Sequence, residues 1–577
     1  MQNKAIADML EEIASMIELE PGDRHFEVRA YRRAALSIET LQEDVADILR
    51  NRGMNGLKEI SGVGEGIGAK IKEFIETGKM RKYDELKKKY PVDFKGLTKV
   101  QGLGPKKIIK LYRKLGITDL ESLKKAISSH RIMKLEGFGE KSEAEMEKAL
   151  GFLESSKGRL TLGQALPEAE SIAMKLRKSK LAYRVEVAGS LRRMRETIGD
   201  IDILVISSEP KKVMEFAANL DEVESVMARG ETKATFWLTV GTSCDIRVVE
   251  QNSFGSAMQY FTGSKSHGVK VRQIAIKKGF SLSEYGLFDK KGKTVASESE
   301  EEIYKRIGMD YIEPEMRENI GEIELAIKHM LPKLIRYGDV VGDLHVHTTH
   351  SDGAEKIEEM ASYAEKIGMK YIGISDHSQS EFVAHGMDDA KFMEYFKEID
   401  RLNEKLEGRI RILKSGEVDI LKDGSLDLSN KTLDEMDYVL ATVHGNRNMD
   451  RESMTKRVIT ALSSGRVGIW AHPTGRLINA REPLQLDLDK IFEVAKDNDV
   501  VMEIDAYPDR LDLNDENIRK AKSYGLKFAI DTDAHRASNF DFIRYGIGTA
   551  RRGWLEKKDV INTMNIERML KALKANA

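Results

Sequence analysis

Hydrophobic and polar positions divide the chain into three regions with different periods. Up to about residue 150, apolar residues recur at helical spacing, as at Phe26, Ala30, Ala34 and Ile38, which predicts a helical region. The middle region has short apolar runs, and strands are expected at 184–187, 201–206, 233–240 and 243–249. Beyond residue 339, seven short apolar runs alternate with amphipathic stretches, which predicts a βα barrel with polar strand ends on one rim.

Three segments of the helical region repeat one pattern, an apolar helix end, a Gly-x-Gly turn and a helix that carries lysine early. The glycine pairs are Gly62/Gly64, Gly102/Gly104 and Gly137/Gly139. Such turns expose backbone N–H groups, and the next helix adds its positive dipole end, so together they bind phosphate. A single turn of this kind could simply cap a helix. The repeat instead resembles helix-hairpin-helix motifs, which implies DNA binding without sequence preference.

The excess of positive charge in the helical region agrees with a polyanion as its binding partner. Between Arg50 and Lys114 there are 18 Lys or Arg against 7 Asp or Glu, although the whole chain has a net charge of -2. Lys106 follows the second turn and would add charge beside a phosphate. The alternative is a solvated lysine-rich face, so charge alone does not decide.

Two carboxylates, Asp200 and Asp202, alternate with isoleucines on an apolar run and therefore project from one face of a strand. Neighbouring acids raise each other's pKa, and a divalent cation between them removes the repulsion. Asp245 would add a third carboxylate from an adjacent strand. Because Mg²⁺ prefers oxygen ligands, we interpret the three as a two-metal centre for phosphoryl transfer. The alternative is an exposed strand edge with surface acids.

The segments GSLRRMRETIGDIDIL, CDIRVV and YFTGSKSHGVKVRQIAIKKGFSLSEYGLF resemble the catalytic region of family X DNA polymerases, the DNA polymerase beta class. The resemblance implies nucleotidyl transfer from a dNTP to a primer 3′-OH on gapped or primer–template DNA, with Mg²⁺ or Mn²⁺. It implies that Asp200 and Asp202 bind both ions and that Asp245 helps to activate the 3′-OH. The implied nucleotide and template contacts are Gly189, Ser190 and Arg193 at the triphosphate, Tyr260, Phe261 and Gly263 at the sugar, and Arg272 at the template strand.

Two positions qualify this resemblance. Lys265 stands where the beta polymerase has an acid, so base-pair sensing there is expected to differ. Lys70 aligns with the lysine that forms a Schiff base in the lyase domain of the beta polymerase, a role that requires a neutral amine. Gly66 stands where that family has another lysine, and a phosphate contact for Lys70 is slightly favoured. For the aromatic pair Tyr260 and Phe261, core packing is the alternative to a sugar pocket.

Eight of the 12 histidines lie beyond residue 339, at the ends of the apolar runs. Imidazole with carboxylate suits Zn, Mn or Fe, and nine ligands are about enough for three ions. The motifs HVHTTHSDG, SDHS, GEVD, VHGN, AHP and TDAH resemble the polymerase and histidinol phosphatase (PHP) domain. The candidate ligands for three divalent ions (Mn²⁺, Zn²⁺ or Fe²⁺) are His345, His347, Asp352, His377, Glu417, His444, His472, Asp533 and His535. Arg476 and Arg510 lie near the predicted rim and are candidates for holding a substrate phosphate.

These observations predict a multidomain protein of α+β and α/β class that matches the bacterial and archaeal family X DNA polymerases. The expected parts are a lyase-like helical domain (1–90), a fingers-like domain with two helix-hairpin-helix motifs (91–160), a nucleotidyltransferase palm (161–255), a thumb (256–320), a linker (321–338) and a distorted (β/α)7 PHP barrel (339–577). The single cysteine, Cys244, fits a reducing cytoplasm. No apolar run is long enough to span a membrane, and a monomer is expected.

The predicted function is gap-filling DNA repair synthesis combined with 3′–5′ exonuclease or 3′-phosphoesterase activity of the PHP domain, with possible action at abasic sites. Alternatives are a PHP domain that is only a metal-stabilised scaffold, or one with dominant abasic-site endonuclease activity. A histidinol phosphatase-like enzyme would leave the first 320 or so residues without a purpose. A non-catalytic DNA-binding protein would not need Asp200, Asp202 and Asp245.

Overall fold

The computed structural model describes residues 2–18, 20, 24–39, 44–98, 100, 103–140, 142–144, 146–147, 150 and 159–573. The chain forms two compact units, one of residues 1–157 with 479–482 and one of residues 158–478 with 483–577. No helix in the described part of the chain is long and apolar enough to cross a membrane.

The first unit is helical, as predicted. Its described helices of four residues or more are Gln2–Ile17, His25–Glu39, Val45–Lys58, Glu65–Thr77, Arg81–Lys89, Phe94–Leu97, Pro105–Leu115 and Leu120–Ser128. The expected apolar face of the second helix is wrong at Phe26, whose side chain is 82% exposed. Ala34 and Ile38 are buried as expected, and the buried face also includes Val28, Tyr31 and Ala35. At 100° per residue, Phe26 lies nearly opposite that face.

A five-stranded sheet forms the centre of the palm region. Its strands lie side by side in the order Arg184–Val187, Asp200–Ile206, Ser243–Val249, Lys233–Leu238 and Val223–Arg229. The helices of this region are Leu162–Lys178, Gly189–Arg192 and Pro210–Ala217, and Leu160–Thr161 pairs with Thr197–Ile198. The strand expected over 233–240 ends at Leu238, because the next residues form a tight turn in which the Gly241 N–H donates to the Leu238 carbonyl.

The thumb region combines helices with a small three-stranded antiparallel sheet. Its helices are Phe254–Thr262, Lys265–Lys277, Glu300–Arg306 and Glu322–Ile327, and its strands are Ser281–Ser283, Gly286–Phe288 and Thr294–Ala296. His267 is buried at its centre and is held by Glu322 and by the hydroxyl of Tyr304, both at 2.8 Å. These bonds satisfy both ring nitrogens, so His267 is a structural residue of the thumb.

The last region is the predicted distorted βα barrel. Its parallel strands are Gly342–Val346, Tyr371–Ile374, Arg411–Lys414, Glu417–Asp419, Val439–Thr442, Val467–Trp470, Val501–Asp505 and Phe528–Asp531. Its helices are Ile357–Lys366, Asp389–Leu406, Asn430–Asp434, Arg451–Leu462, Leu488–Asp497, Asp515–Ser523, Ile543–Arg552 and Ile566–Leu573. The third expected run divides into two strands at Ser415–Gly416, and a bridge between Val346 and Ala534 brings the first and last strands together.

Candidate active sites and DNA-binding turns

The three candidate catalytic aspartates lie on two neighbouring strands. Asp200–Ile206 pairs in parallel with Ser243–Val249, and the register sets Asp202 directly beside Asp245. Burial, together with the charges of Asp200 and Asp245, raises the pKa of Asp202 to about 7. Asp202 therefore resists ionisation beside two other carboxylates, and divalent cations fit this site because their charge offsets the repulsion.

Asp245 is also held by side chains that the sequence did not reveal. Thr235 donates a hydrogen bond to Oδ1 at 2.6 Å, and Arg247 and Lys233 lie 3.0 and 3.1 Å from Oδ2. Burial alone would raise the pKa of Asp245, but these donors and cations lower it below its usual value. The antiparallel register pairs Thr235 with Asp245 across the sheet. In the sequence, the only indication of these contacts is the alternation of polar and apolar residues along the strand that begins at Lys233.

The predicted nucleotide-binding loop begins beside this acid cluster. Gly189 has φ +64°, and a Cβ there would come closer than 3.0 Å to Asp202 Oδ2, so only glycine fits. Ser190 follows in the short helix Gly189–Arg192. Arg193 lies at the end of this helix, where its Nε donates to Glu318 Oε1 at 3.1 Å and its Nη1 to the Thr262 carbonyl.

The predicted sugar and template contacts join the same neighbourhood. A Cβ on Gly263, whose φ is +67°, would lie 3.1 Å from Arg193 Nη1. Tyr260 and Phe261 pack edge to face at 5.0 Å. The guanidinium of Arg272 lies 5.6 Å from the Tyr260 ring, and Arg247, which holds Asp245, lies 4.6 Å from the Phe261 ring. The structure therefore brings the predicted triphosphate, sugar and template residues together around the acids.

The glycine turns of the helical unit have the backbone expected for helix-hairpin-helix motifs. Gly62 and Gly137 adopt φ of +80° and +81°. Gly64 and Gly104 directly precede the helices Glu65–Thr77 and Pro105–Leu115. Gly139 directly precedes Glu140, where the described helical residues begin, and Gly102 lies outside the described residues.

Lys106 and Lys70 are the two lysines near these turns for which the sequence predicts a role. Lys106 is exposed in the first turn of Pro105–Leu115, where it can reach a bound phosphate. Lys70 Nζ donates to the Gly66 carbonyl at 2.9 Å and lies 5.7 Å from the Tyr31 ring. Lys70 lies in the second turn of the helix Glu65–Thr77, and its amine folds back onto the first turn, near the Gly62/Gly64 turn that is expected to bind phosphate.

All nine candidate ligands of the PHP region converge at the barrel rim. Each belongs to at least one group of three or four residues whose ligand atoms lie within 4.8 Å of one another. The groups are His347 with Asp352, His377 and His535; His345 with Glu417 and His472; His345 with His347 and Asp533; and His377 with Glu417 and His444. Glu417 lies at the centre, 2.9 Å from His377 Nδ1 and 2.7 Å from His472 Nε2. A further group, Glu381 with Asp419 and His444, was not predicted.

The chemistry of this cluster fits divalent metal ions. Among the described residues, His345 Nε2 and His347 Nδ1 are buried and make no hydrogen bond. Unpaired buried imidazole nitrogens are costly unless a metal takes their lone pairs. The other nitrogen of His345 is fixed by Glu503 at 2.7 Å, as is usual for a metal-binding histidine.

The two candidate phosphate-binding arginines have different surroundings. Arg510 Nε lies 3.4 Å from Asp505 and 3.5 Å from the candidate ligand Asp533, so it borders the cluster. Arg476 instead donates to Glu196 of the palm region and to the Leu511 carbonyl, both at 2.7 Å. Both bonds are made by Nη2, so Arg476 links the barrel to the palm region, and its phosphate-binding role stays a prediction.

The matching families follow the same order along the chain. They are a helix-hairpin-helix domain over residues 1–80, a SAM-like helix-hairpin-helix tandem over 94–150, a DNA polymerase beta thumb over 257–318 and a PHP domain over 343–506. Fold and sites together define a protein with a polymerase beta-like half and a PHP metal-binding half.

Sequence comparison with known proteins narrows this class further. The DNA polymerase/3'-5' exonuclease PolX of Bacillus subtilis (strain 168) is 40% identical over 579 residues, 100% of both chains. A probable phosphatase of Thermoanaerobacter sp. (strain X514) is 30% identical over 235 residues, 39% of this chain and 91% of its own. DNA polymerase lambda of Rattus norvegicus is 23% identical over 288 residues, 45% of this chain and 48% of its own. The chain belongs to the family X DNA polymerases that carry a PHP domain.

Proposed function

We propose that the chain is a DNA-directed DNA polymerase that fills short gaps during repair and that its PHP domain is a 3′–5′ exonuclease. The observation that carries the polymerase assignment is the parallel register that sets Asp202 beside Asp245, with Gly189 packed against the same carboxylate. DNA and dNTPs are its substrates, and both centres depend on divalent metal.

At the polymerase centre, Asp200, Asp202 and Asp245 would hold two Mg²⁺ or Mn²⁺ ions, which supply positive charge to the reacting phosphoryl group. Gly189, Ser190 and Arg193 bind the triphosphate, and Arg193 is suited to it because a guanidinium matches phosphate oxygens. Asp245 helps to remove the proton of the primer 3′-OH. Tyr260, Phe261 and Gly263 line the sugar, and the bulk of the aromatic pair excludes a 2′-OH.

DNA is held mainly through its phosphates. The backbone N–H groups at Gly62/Gly64, Gly102/Gly104 and Gly137/Gly139, with Lys106, bind the backbone of the duplex, and Arg272 reaches the template strand. Binding is expected to weaken steeply with salt and to show no base preference, since no base edge is read.

At the PHP centre, the nine ligands would hold three ions, for which we favour Mn²⁺ over Zn²⁺ and Fe²⁺. These ions would supply charge at the scissile phosphate and a strong nucleophile at neutral pH. Arg510 borders the cluster and orients a phosphate oxygen. Similarity to a probable phosphatase over 91% of that protein's length favours 3′-phosphate removal as a second activity of this centre.

The remaining assignments are also proposals. We assign the palm to residues 161–255 and the thumb to 256–320, and we expect a monomer. A cytoplasmic location agrees with Cys244, which is a free, buried thiol.

A labelled one-nucleotide gap incubated with the purified protein tests both activities. With Mn²⁺ and dNTPs the primer should lengthen, and with Mn²⁺ alone it should shorten from its 3′ end. A matched primer that ends in a 3′-phosphate reports phosphatase action as a change in mobility. Extension or shortening that persists in excess EDTA would contradict metal-dependent catalysis at the corresponding centre.

A further inference from the structure

The loop proposed to bind the triphosphate packs against the PHP helix Ile543–Arg552. Met194, in this loop, is buried and has a positive φ of 51°. A Cβ added to Gly548 would lie 2.6 Å from Met194 Cε and 3.1 Å from its Cβ, so the helix approaches the loop as closely as glycine allows. The two halves of the protein therefore meet at the nucleotide loop itself.

Arg552, at the end of this helix, is buried against the loop. Its Nη1 donates to the Arg193 carbonyl at 2.9 Å and to Glu318 Oε1 at 3.0 Å, and its Nη2 donates to Asp515 at 2.7 Å. Arg193 Nε donates to the same Glu318 oxygen at 3.1 Å. One carboxylate oxygen is thus shared between the triphosphate arginine and an arginine from the PHP domain.

Glu196 fixes the far end of the loop. It accepts a hydrogen bond from Arg476 of the PHP region at 2.7 Å, and Arg476 also donates to the Leu511 carbonyl. Together with Arg552 and Gly548, this makes three PHP contacts on residues 193–196. The catalytic aspartates are positioned differently, by the register of the two parallel strands that carry them.

We propose that the PHP domain positions the nucleotide-binding loop of the polymerase and that Arg552 is a positioning residue for Arg193. This rests on the proposed role of Arg193 at the triphosphate. Arg552 holds the main chain at Arg193 and draws part of the Glu318 charge away from the Arg193 side chain. Without Arg552, the loop loses an anchor. Glu318 then competes more strongly with the triphosphate for the guanidinium of Arg193. Both effects weaken dNTP binding, while the chemical step at the aspartates is unaffected.

Steady-state incorporation into a one-nucleotide gap by the full-length protein tests this. Arg552→Leu should raise KM for dNTP about tenfold, about 1.4 kcal/mol, and change kcat less than twofold. Arg552→Lys keeps the charge and should restore part of the loss. The matched control is Arg551→Leu, a buried arginine of the same helix whose guanidinium donates to Glu315 at 2.7 Å and to the Ile335 carbonyl at 2.8 Å rather than to the loop. It should leave KM unchanged.

A glycine pair covers the case in which Arg552→Leu does not fold. Gly548→Ala presses on Met194 and should raise KM about threefold. Gly546→Ala on the same helix meets Ile530 and Ala506 of the barrel instead, at 2.6 and 2.7 Å, and should not. Equal KM values for the members of each folded pair would overturn the positioning role.

One further variant separates this inference from the function on which it rests. Arg193→Ala should raise KM at least as much as Arg552→Leu. If Arg193→Ala leaves KM unchanged, the nucleotide-site assignment is wrong. If it raises KM and Arg552→Leu does not, the assignment stands and the positioning role is wrong.

Discussion

Gly189 offers a sharp test of the polymerase centre, because alanine adds one methyl group at the edge of the acid cluster. Two costs follow from the structure. At φ +64°, an alanine is strained by about 1–2 kcal/mol relative to glycine. In addition, its Cβ would overlap Asp202 Oδ2, and restoring an ordinary contact of 3.4 Å requires a shift of about 1 Å. A displacement of this size at a reacting group costs about 10²-fold in rate, or about 2.7 kcal/mol.

The control for Gly189→Ala is Gly241→Ala. Gly241 lies in the turn between the strands that carry Thr235 and Asp245, and its φ is +90°, but a Cβ there meets nothing within 4 Å. Both variants should lose stability to backbone strain in denaturant unfolding, Gly189→Ala the more because of its added overlap, and both should keep 3′ shortening. Only Gly189→Ala should lose about 10²-fold in kcat/KM for dNTP incorporation. Polymerase activity for Gly189→Ala within threefold of Gly241→Ala would refute the claim that this glycine makes room for a catalytic carboxylate.

Three other perturbations address the thumb, the first glycine turn and the metal cluster. Burial would raise the pKa of the Glu300 carboxyl, but Arg317 and Arg192 hold it below its usual value, so its stabilisation is present above the unfolded pKa and is lost as pH falls through the folded one. Glu300→Gln should therefore cost about 3–5 kcal/mol at pH 7 and progressively less below about pH 4 in urea unfolding. Lys70→Ala should weaken binding to a 5′-phosphorylated gap about fivefold in fluorescence anisotropy and leave borohydride trapping on an incised abasic end at the level of the unsubstituted protein; a drop below that level would make Lys70 the lyase nucleophile. EDTA should lower the unfolding temperature of the PHP region in calorimetry and Mn²⁺ should restore it, since the buried imidazoles of His345 and His347 lose their metal partners; an unchanged temperature would argue against resident ions.

The candidate sites were predictable wherever local pattern determines chemistry. Asp200 and Asp202 project to one face because a strand has a period of two. The nine PHP ligands follow strand ends, and parallel strands of a barrel bring their ends to one rim, so a scattered set of histidines becomes one cluster. Phe26 shows the limit of this reasoning, because apolar spacing placed it with Ala34 and Ile38 on the buried face although its side chain is exposed.

The rest could not be predicted because it depends on pairing between residues far apart in the chain. Lys233 and Thr235 hold Asp245 through an antiparallel register that no local motif encodes. Glu318 receives Arg193 and Arg552 from opposite halves of the protein. Arg476 looked like a rim residue by its position after a strand, yet its guanidinium turns to Glu196. A charged side chain carries no mark of its partner in the sequence.

The proposed function requires two separate metal centres with opposed activities at a 3′ end. Asp202→Asn and His347→Ala, assayed on the same labelled gapped duplex with Mn²⁺, test it most directly. Asp202→Asn should stop extension and keep 3′ shortening, and His347→Ala should do the reverse. Loss of both activities in either folded variant, or persistence of shortening in His347→Ala, would contradict the account.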